Sequence, residues 1–531
     1  MPAHTHPGRR PRSGRRRAAL TISAALAATL VAGCTEITDR LPGQSAEETR
    51  TADASTTAVP DGQDDLAAFY EQQLDWVDCG PGECAELTVP LSYADPEGET
   101  IEISVLKVPA GSSRNRIGSL VVNPGGPGGS GVDYAAAADV IVGPEVRERF
   151  DIVGFDPRGV GRSAPVDCVS DPELDDFLGM DPTPDDAGER EDFATKSDGF
   201  AQACDAAAGA LLANVSTVDA AKDMDILRAA LGEERLTYLG KSYGTYLGTV
   251  YAEQFTDRVG RFVLDGALAP DLTLQEVNRG QAEGFDRASA AWAQDCIDEG
   301  DCPLGDTVDE VMEGMRDLME RFDTDPVPIT GDARLDTMSE GWAVVGIAQA
   351  MYDQGMWSFL TDALRDVVER DDATELMALA NAYAFRTPSG AYTSNILEVI
   401  YAVNCLDRPE SDDIADFESA EAQAEELAPT WGRFLTWSTM TCGFWPHEPV
   451  GGGPREITAA GSEPIVVVGT TRDPATPFEW SERLADQLEN GVLVSFDGDG
   501  HTAYTRSNAC VDDAVDAFFI DGTVPEDGLR C

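Results

Sequence analysis

The chain has 531 residues, of which 96 are acidic and 38 basic, for a net charge of −58 with histidine neutral. That imbalance argues against nucleic acid or an anionic membrane face as a partner, since both would be repelled. The length suits one large core, or a core carrying an inserted domain.

The N-terminus reads as a targeting segment. Arg9, Arg10, Arg12 and Arg15 to Arg17 form a basic stretch, and residues 18–32 are apolar with small residues at the end. About fifteen apolar residues fall short of the roughly twenty that a membrane-spanning helix needs. The segment closes with Val31-Ala32-Gly33-Cys34, which resembles the bacterial lipobox and implies cleavage before Cys34 and a lipid on its sulfur. The arginine pairs leave the twin-arginine export route open. Residues 1–33 are therefore taken as a lipoprotein signal peptide. Residues 34–65, poor in aromatics and rich in Thr, Ser, Ala, Asp and Glu, are taken as a disordered tether with a reach of roughly 30 Å.

Beyond the tether, short apolar runs alternate with helical stretches in two separate blocks. The first holds strands expected at 101–108, 119–122, 152–155, 236–239 and 262–264; the second holds strands at 465–468 and 492–496. Unbroken runs of this kind suit strands buried on both faces of a parallel sheet. Between the blocks helical spacing dominates, as in Val311-Met312-Glu313-Gly314-Met315-Arg316-Asp317-Leu318-Met319. The expected organisation is a sheet core at 66–267, a helical cap at 268–455 and a return to the sheet core at 456–531.

With Cys34 set aside, the cysteines fall into neighbouring pairs: Cys79 with Cys84, Cys168 with Cys204, Cys296 with Cys302, Cys405 with Cys442, and Cys510 with Cys531. An even count in an exported chain reads as a disulfide framework. Sequence does not fix the connectivity, and neighbour pairing is the expectation adopted. No C-x-x-C pair or histidine cluster suggests a metal, and no cofactor motif is present.

The pentapeptide Gly240-Lys241-Ser242-Tyr243-Gly244 sits between an expected strand and an expected helix, where a tight turn would expose the Ser242 hydroxyl. A nucleophilic serine needs a base, an acid to orient that base, and donors for the oxyanion. Only His447 and His501 follow the signal segment, and His501 lies directly after the strand at 492–496. Asp473, in a proline-stiffened loop after the strand at 465–468, is the expected acid, with Asp265 as its rival. Asp497 and Asp499 stand too close along the chain to His501 to reach around its ring. The run Asn123-Pro124-Gly125-Gly126-Pro127-Gly128-Gly129-Ser130-Gly131 offers bare backbone to a substrate oxygen. The expected oxyanion donors are the N–H groups of Gly126 and Tyr243, each worth about 3 to 4 kcal/mol in the transition state. The order strand block, helical insertion, strand block, with Ser, Asp and His in that sequence, is that of an α/β-hydrolase fold: a mostly parallel sheet flanked by helices, with an inserted helical cap.

The glycine run, Gly154-Phe155-Asp156-Pro157-Arg158-Gly159-Val160-Gly161-Arg162-Ser163, Gly240 to Gly244, Asp473-Pro474-Ala475-Thr476-Pro477 and Gly500-His501 occur in one order. Together they resemble the prolyl-aminopeptidase-like serine peptidases, and more narrowly the secreted tripeptidyl aminopeptidases and lipoprotein proteases of actinobacteria. The likeness covers residues 76–531. One departure is Asn123, where many relatives carry His. The resemblance implies an acyl-enzyme mechanism on Ser242, His501 and Asp473, without cofactor. It further implies release of short peptides from peptide or protein substrates with a free N-terminus, at the outer face of the cell membrane or after release. The cap should then supply a site that reads the substrate ammonium, and carboxylates there, such as Asp407, are candidates. Asp156 and Arg158 are expected to tie a loop together. The rivals are an esterase or lipase using the same triad, and an inactive surface binding protein.

Overall fold

The computed structural model describes residues 59–60 and 62–531, all within the unit Ala52–Cys531. The expected signal peptide, the lipidation site Cys34 and most of the expected tether lie outside the described residues. Twelve strands are formed among the described residues: β1 (Val77–Asp78), β2 (Glu83–Pro90), β3 (Thr100–Val108), β4 (Gly118–Asn123), β5 (Phe150–Phe155), β6 (Leu236–Lys241), β7 (Val259–Asp265), β8 (Val327–Pro328), β9 (Thr337–Met338), β10 (Ile465–Arg472), β11 (Gly491–Asp499) and β12 (Leu529–Arg530). Ten of them form one sheet in the order β1-β2-β3-β5-β4-β6-β7-β10-β11-β12. Pairing is antiparallel from β1 to β5 and parallel from β5 across to β12.

Every residue of β4 and β5 is buried, which is why each reads as an unbroken apolar run. β2 was not legible as such a run. Its sequence Glu-Cys-Ala-Glu-Leu-Thr-Val-Pro alternates outward polar groups with inward apolar ones. The short β1 and β12 carry too few residues for any pattern.

Between β7 and β10 the chain is helical from Leu274–Glu299 to Met440–Gly443, apart from the β8–β9 hairpin. The first of these helices starts at a capping box: Thr273 Oγ1 accepts the Glu276 N–H, and the Glu276 carboxylate returns to the Thr273 N–H. The insertion has an apolar core of its own, with Trp292, Met315, Phe322, Trp342, Leu360 and Trp431 buried together. It is joined to the sheet layer by buried polar seams. Glu398 Oε1 accepts the N–H groups of Cys168 (2.7 Å) and Val169 (3.1 Å). Asn395 donates to the carbonyls of Gly159 and Val166 and accepts the Gly161 N–H. Five disulfides, Cys79–Cys84, Cys168–Cys204, Cys296–Cys302, Cys405–Cys442 and Cys510–Cys531, staple loops to their neighbours.

The loop after β5 is held by charge. Arg158 has a fully buried guanidinium that pairs with Asp223 through Nε and Nη2, both at 2.7 Å, and donates to the carbonyls of Pro90, Leu91 and Asn214. Asp156 accepts from Ser130 Oγ and from the N–H groups of Val132 and Arg162. Removing one partner of such a pair strands the other charge in the interior. Arg158→Met is expected to destabilise the protein by about 3–5 kcal/mol, read as a lower midpoint in urea unfolding; an unchanged midpoint would show that the pair carries no net stability.

A second cluster sits between the segment after Asp171–Leu178 and the insertion. Carboxylate oxygens of Asp181, Asp323 and Glu340 lie within 4.8 Å of one another, and Thr183 Oγ1 donates to Glu340 at 2.9 Å. Burial, with Asp181 beside it, pushes the Glu340 carboxyl up to about 8 from an ordinary 4.5. The folded protein therefore holds a proton that the unfolded chain releases, and its stability falls as pH rises from 4.5 through 8. Glu340→Gln should raise the melting temperature at pH 8.5 and lose that advantage by pH 5. A constant offset across the range would contradict it.

Candidate active site

Ser242 stands where β6 ends and the helix Tyr243–Gln254 begins, with φ 56° and ψ −128°. For a residue with a Cβ this is a strained conformation. It is held because the Ser242 N–H donates to the Asp265 carbonyl at 2.9 Å and the Ser242 carbonyl accepts the Thr245 N–H at 2.8 Å. The glycine run approaches this turn closely. A Cβ on Gly125 would lie 2.8 Å from Ser242 Cβ and 3.1 Å from the Tyr243 nitrogen, so only glycine fits there. Asn123, 1% exposed, accepts the Gly125 N–H at 2.9 Å and orients the run from its first residue. That gives Asn123 a hydrogen-bonding role at the position where the likeness led one to look for His. The loop thus brings Gly125 against the Ser242 turn, and Gly126 and Tyr243 line one cavity with Ser242.

Asp473 follows a register shift at the end of β10, and His501 follows β11. His501 Nδ1 is 2.9 Å and 3.0 Å from the two oxygens of Asp473. The fully buried Asp473 carboxylate also accepts the N–H groups of Ala475, Thr476 and Thr502 and the Thr476 hydroxyl. With this much of its hydrogen bonding prescribed, the carboxylate has one orientation to offer the imidazole. Ser242 and His501 both touch the segment Asp265–Gly266: the Ser242 N–H meets the Asp265 carbonyl, and an added Cβ on Gly266 would lie 3.3 Å from His501 Cε1. The Ser242 hydroxyl and His501 ring do not hydrogen-bond in this state. Such contacts commonly tighten only when substrate is bound.

Asp265 is not the orienting acid. Its carboxylate accepts the N–H groups of Ala503 (2.9 Å) and Tyr504 (3.0 Å), and Lys241 Nζ approaches it at 3.3 Å. Lys241 also donates to the Tyr504 carbonyl at 2.7 Å. His447 is bound to Asp205 at 3.0 Å, and Asp497 and Asp499 are engaged by Arg472, so none of them competes for the site.

Ser242 lines a cavity of about 350 Å³ together with Gly126, Tyr243 and residues of the insertion, among them Tyr352, Tyr383, Ile400 and Phe434. His501 lines a second, polar cavity of about 440 Å³ with Asp353, Arg472, Asp499 and Arg506. Tyr352 stands in both walls. Its carbonyl accepts the His501 N–H at 3.0 Å, and its ring meets the imidazole edge to face at 5.4 Å.

A family model described as alpha/beta hydrolase fold matches residues 118–323, and one described as TAP-like protein matches residues 428–531. The serine protease Hip1 of Mycobacterium tuberculosis is 38% identical over 482 residues, covering 87% of this chain and 91% of its own. The chain belongs to the TAP-like family of α/β-hydrolases. It is a serine hydrolase. Carboxylesterase B of Mycobacterium tuberculosis is 37% identical over 84% of this chain and 86% of its own. A tripeptidyl aminopeptidase of Streptomyces lividans is 31% identical over 86% of each chain.

One expectation about this TAP-like protein is corrected. Asp407 does not face the cavity: it is 2% exposed, and its carboxylate accepts both the N–H and the hydroxyl of Thr217, which in turn meets the Tyr243 hydroxyl. Burial pushes its carboxyl up to about 6. It props Tyr243 from behind, is held there by Thr217, and is not among the residues that line the Ser242 cavity. Three residues that sequence reasoning did not single out shape the site: Thr476, Tyr352 and Lys241. Thr476 lies in the very loop that supplies Asp473, so proximity was its one available signal. Replacing Asp265 by Asn removes one acceptor from the loop that carries His501. Asp265→Asn should lower kcat about 10–100-fold while moving KM less, measured by steady-state kinetics with the fold checked by circular dichroism; an equal effect on KM alone would assign Asp265 to substrate binding.

Proposed function

We propose that this protein is an exported serine peptidase, held at the membrane by a lipid on Cys34, that releases short peptides from free N-termini. The observations that carry the reading are the strained Ser242 turn packed on Gly125 and the bonded Asp473–His501 pair, all at the ends of neighbouring strands. Asp473 holds Nδ1, leaving Nε2 of His501 to remove the Ser242 proton. Ser242 Oγ attacks the scissile carbonyl, and the N–H groups of Gly126 and Tyr243 receive the oxyanion. His501 then protonates the leaving amine, and water repeats the cycle on the acyl-enzyme.

The helices between β7 and β10 serve as a cap, because their side chains share a cavity wall with Ser242. A covered acyl side favours exo-action. At the polar part of that wall stand Asn278, Asn404, Ser438 and Thr439, with Glu410 accepting from Thr439 Oγ1 at 3.1 Å. That arrangement supplies acceptors for an α-ammonium in place of Asp407. A second reading, ester hydrolysis, is favoured by the aromatic and aliphatic side chains that make up most of the lining.

The test compares tripeptidyl anilides bearing free or acetylated N-termini with short acyl esters, using native enzyme and Ser242→Ala. Free-amine anilides should exceed their blocked forms in kcat/KM by about tenfold or more, and Ser242→Ala should abolish turnover of all of them. Equal cleavage of blocked peptides would exclude aminopeptidase action. Turnover of esters alone would replace the peptidase reading with the second one.

A further inference from the structure

The cavity in front of Ser242 is lined by no carboxylate among the described residues, yet one cation stands in its wall. Arg408 is 1% exposed. Its Nε donates to the Leu272 carbonyl at 3.0 Å, and its guanidinium lies 4.4 Å from the centre of the Tyr246 ring. Its Nη2 has no hydrogen-bond partner. The neighbouring Asp407 bonds to Thr217 and attracts Arg408 only through space, with no hydrogen bond between them.

Buried guanidinium donors are ordinarily satisfied, since an unmet one costs its full desolvation. Arg408 differs in that it also lines the substrate cavity, so a ligand there can meet its guanidinium, with the unpaired Nη2 just beneath the wall. We propose that Arg408 is a specificity residue binding a carboxylate on the acyl part of the substrate, so that peptides with Asp or Glu among the released N-terminal residues are preferred. This rests on the peptidase reading above. A neutral carbonyl would meet one N–H and add no counter-charge to that of the neighbouring Asp407. A carboxylate meets the guanidinium fork and neutralises it. The apolar lining contributed by Leu268, Val277 and Ile400 strengthens that attraction relative to open water.

The position also assigns the subsite to the acyl side. Arg408 stacks on Tyr246, one turn along the same helix from Tyr243, whose ring lies 6.3 Å away and whose N–H is an oxyanion donor in the mechanism. The carboxylate and the scissile carbonyl thus share one cavity.

The experiment measures kcat/KM of the native enzyme for tripeptidyl anilides in which Glu takes each of the three positions in turn, against the Gln isostere. At one position Glu should be favoured by about tenfold or more, and Arg408→Gln should bring that ratio to about one. Arg408→Lys should keep part of it, as it retains the charge without the fork. Equal rates for Glu and Gln at all three positions in the native enzyme would overturn the proposal while leaving the peptidase reading intact, and that arm needs no variant to fold. If esters alone are cleaved, the peptidase reading fails. A dicarboxylic half-ester against its neutral amide then reads Arg408: equal turnover overturns it, and a half-ester preference lost in Arg408→Gln supports it.

Discussion

Asp265 is the constraint on which the rest of the site depends. Its carbonyl accepts the Ser242 N–H and thereby holds the strained turn, while its carboxylate accepts two N–H groups from the loop that follows His501. One residue at the end of β7 therefore sets the distance between two loops that belong to different strands. Lys241 completes the arrangement by meeting the Asp265 carboxylate and the Tyr504 carbonyl together. Burial pulls the Lys241 ammonium below its ordinary pKa, and Asp265 pulls the other way. The pair is buried, so its worth lies in geometry more than in net stability.

The insertion adds a second layer of control. Its contacts with the sheet layer are buried polar groups whose partners are specific atoms: Glu398 on two amides, Asn395 on three backbone groups, Arg386 on Asp175. Apolar contacts alone would let the helices slide; polar seams penalise every register but one. Tyr352 carries that precision to His501, through its carbonyl to the backbone N–H and through its ring to the imidazole.

Much of this was legible in the sequence because the parallel strands are buried on both faces and write continuous apolar runs. The parallel strands β4 to β7, β10 and β11 were found at the right places, with ends short by one to a few residues, as at β7 and β10 where polar residues extend the ladder. β2 and the short edge strands escaped for want of such a run. Ser242, Asp473 and His501 stood out because each follows a strand and only His447 and His501 lie beyond residue 33. Asp407 misled because a carboxylate in the cap looks the same in sequence whether it faces a cavity or a threonine. Tyr352 was out of reach for a related reason: its part is played by a backbone carbonyl, which every residue possesses. Arg408 likewise depended on a three-dimensional fact, the missing partner of one nitrogen.

The strand order carries a consequence for timing. β10 and β11, whose ends bear Asp473 and His501, pair beside β7, yet the ribosome makes them only after the whole helical insertion. The nucleophile is thus synthesised long before its acid and base, and the contacts that assemble them are far apart in the chain and slow to form. A chain made only as far as the helical insertion has Ser242 but neither Asp473 nor His501. On the proposed mechanism, hydrolytic power arrives only when the last strands join the sheet.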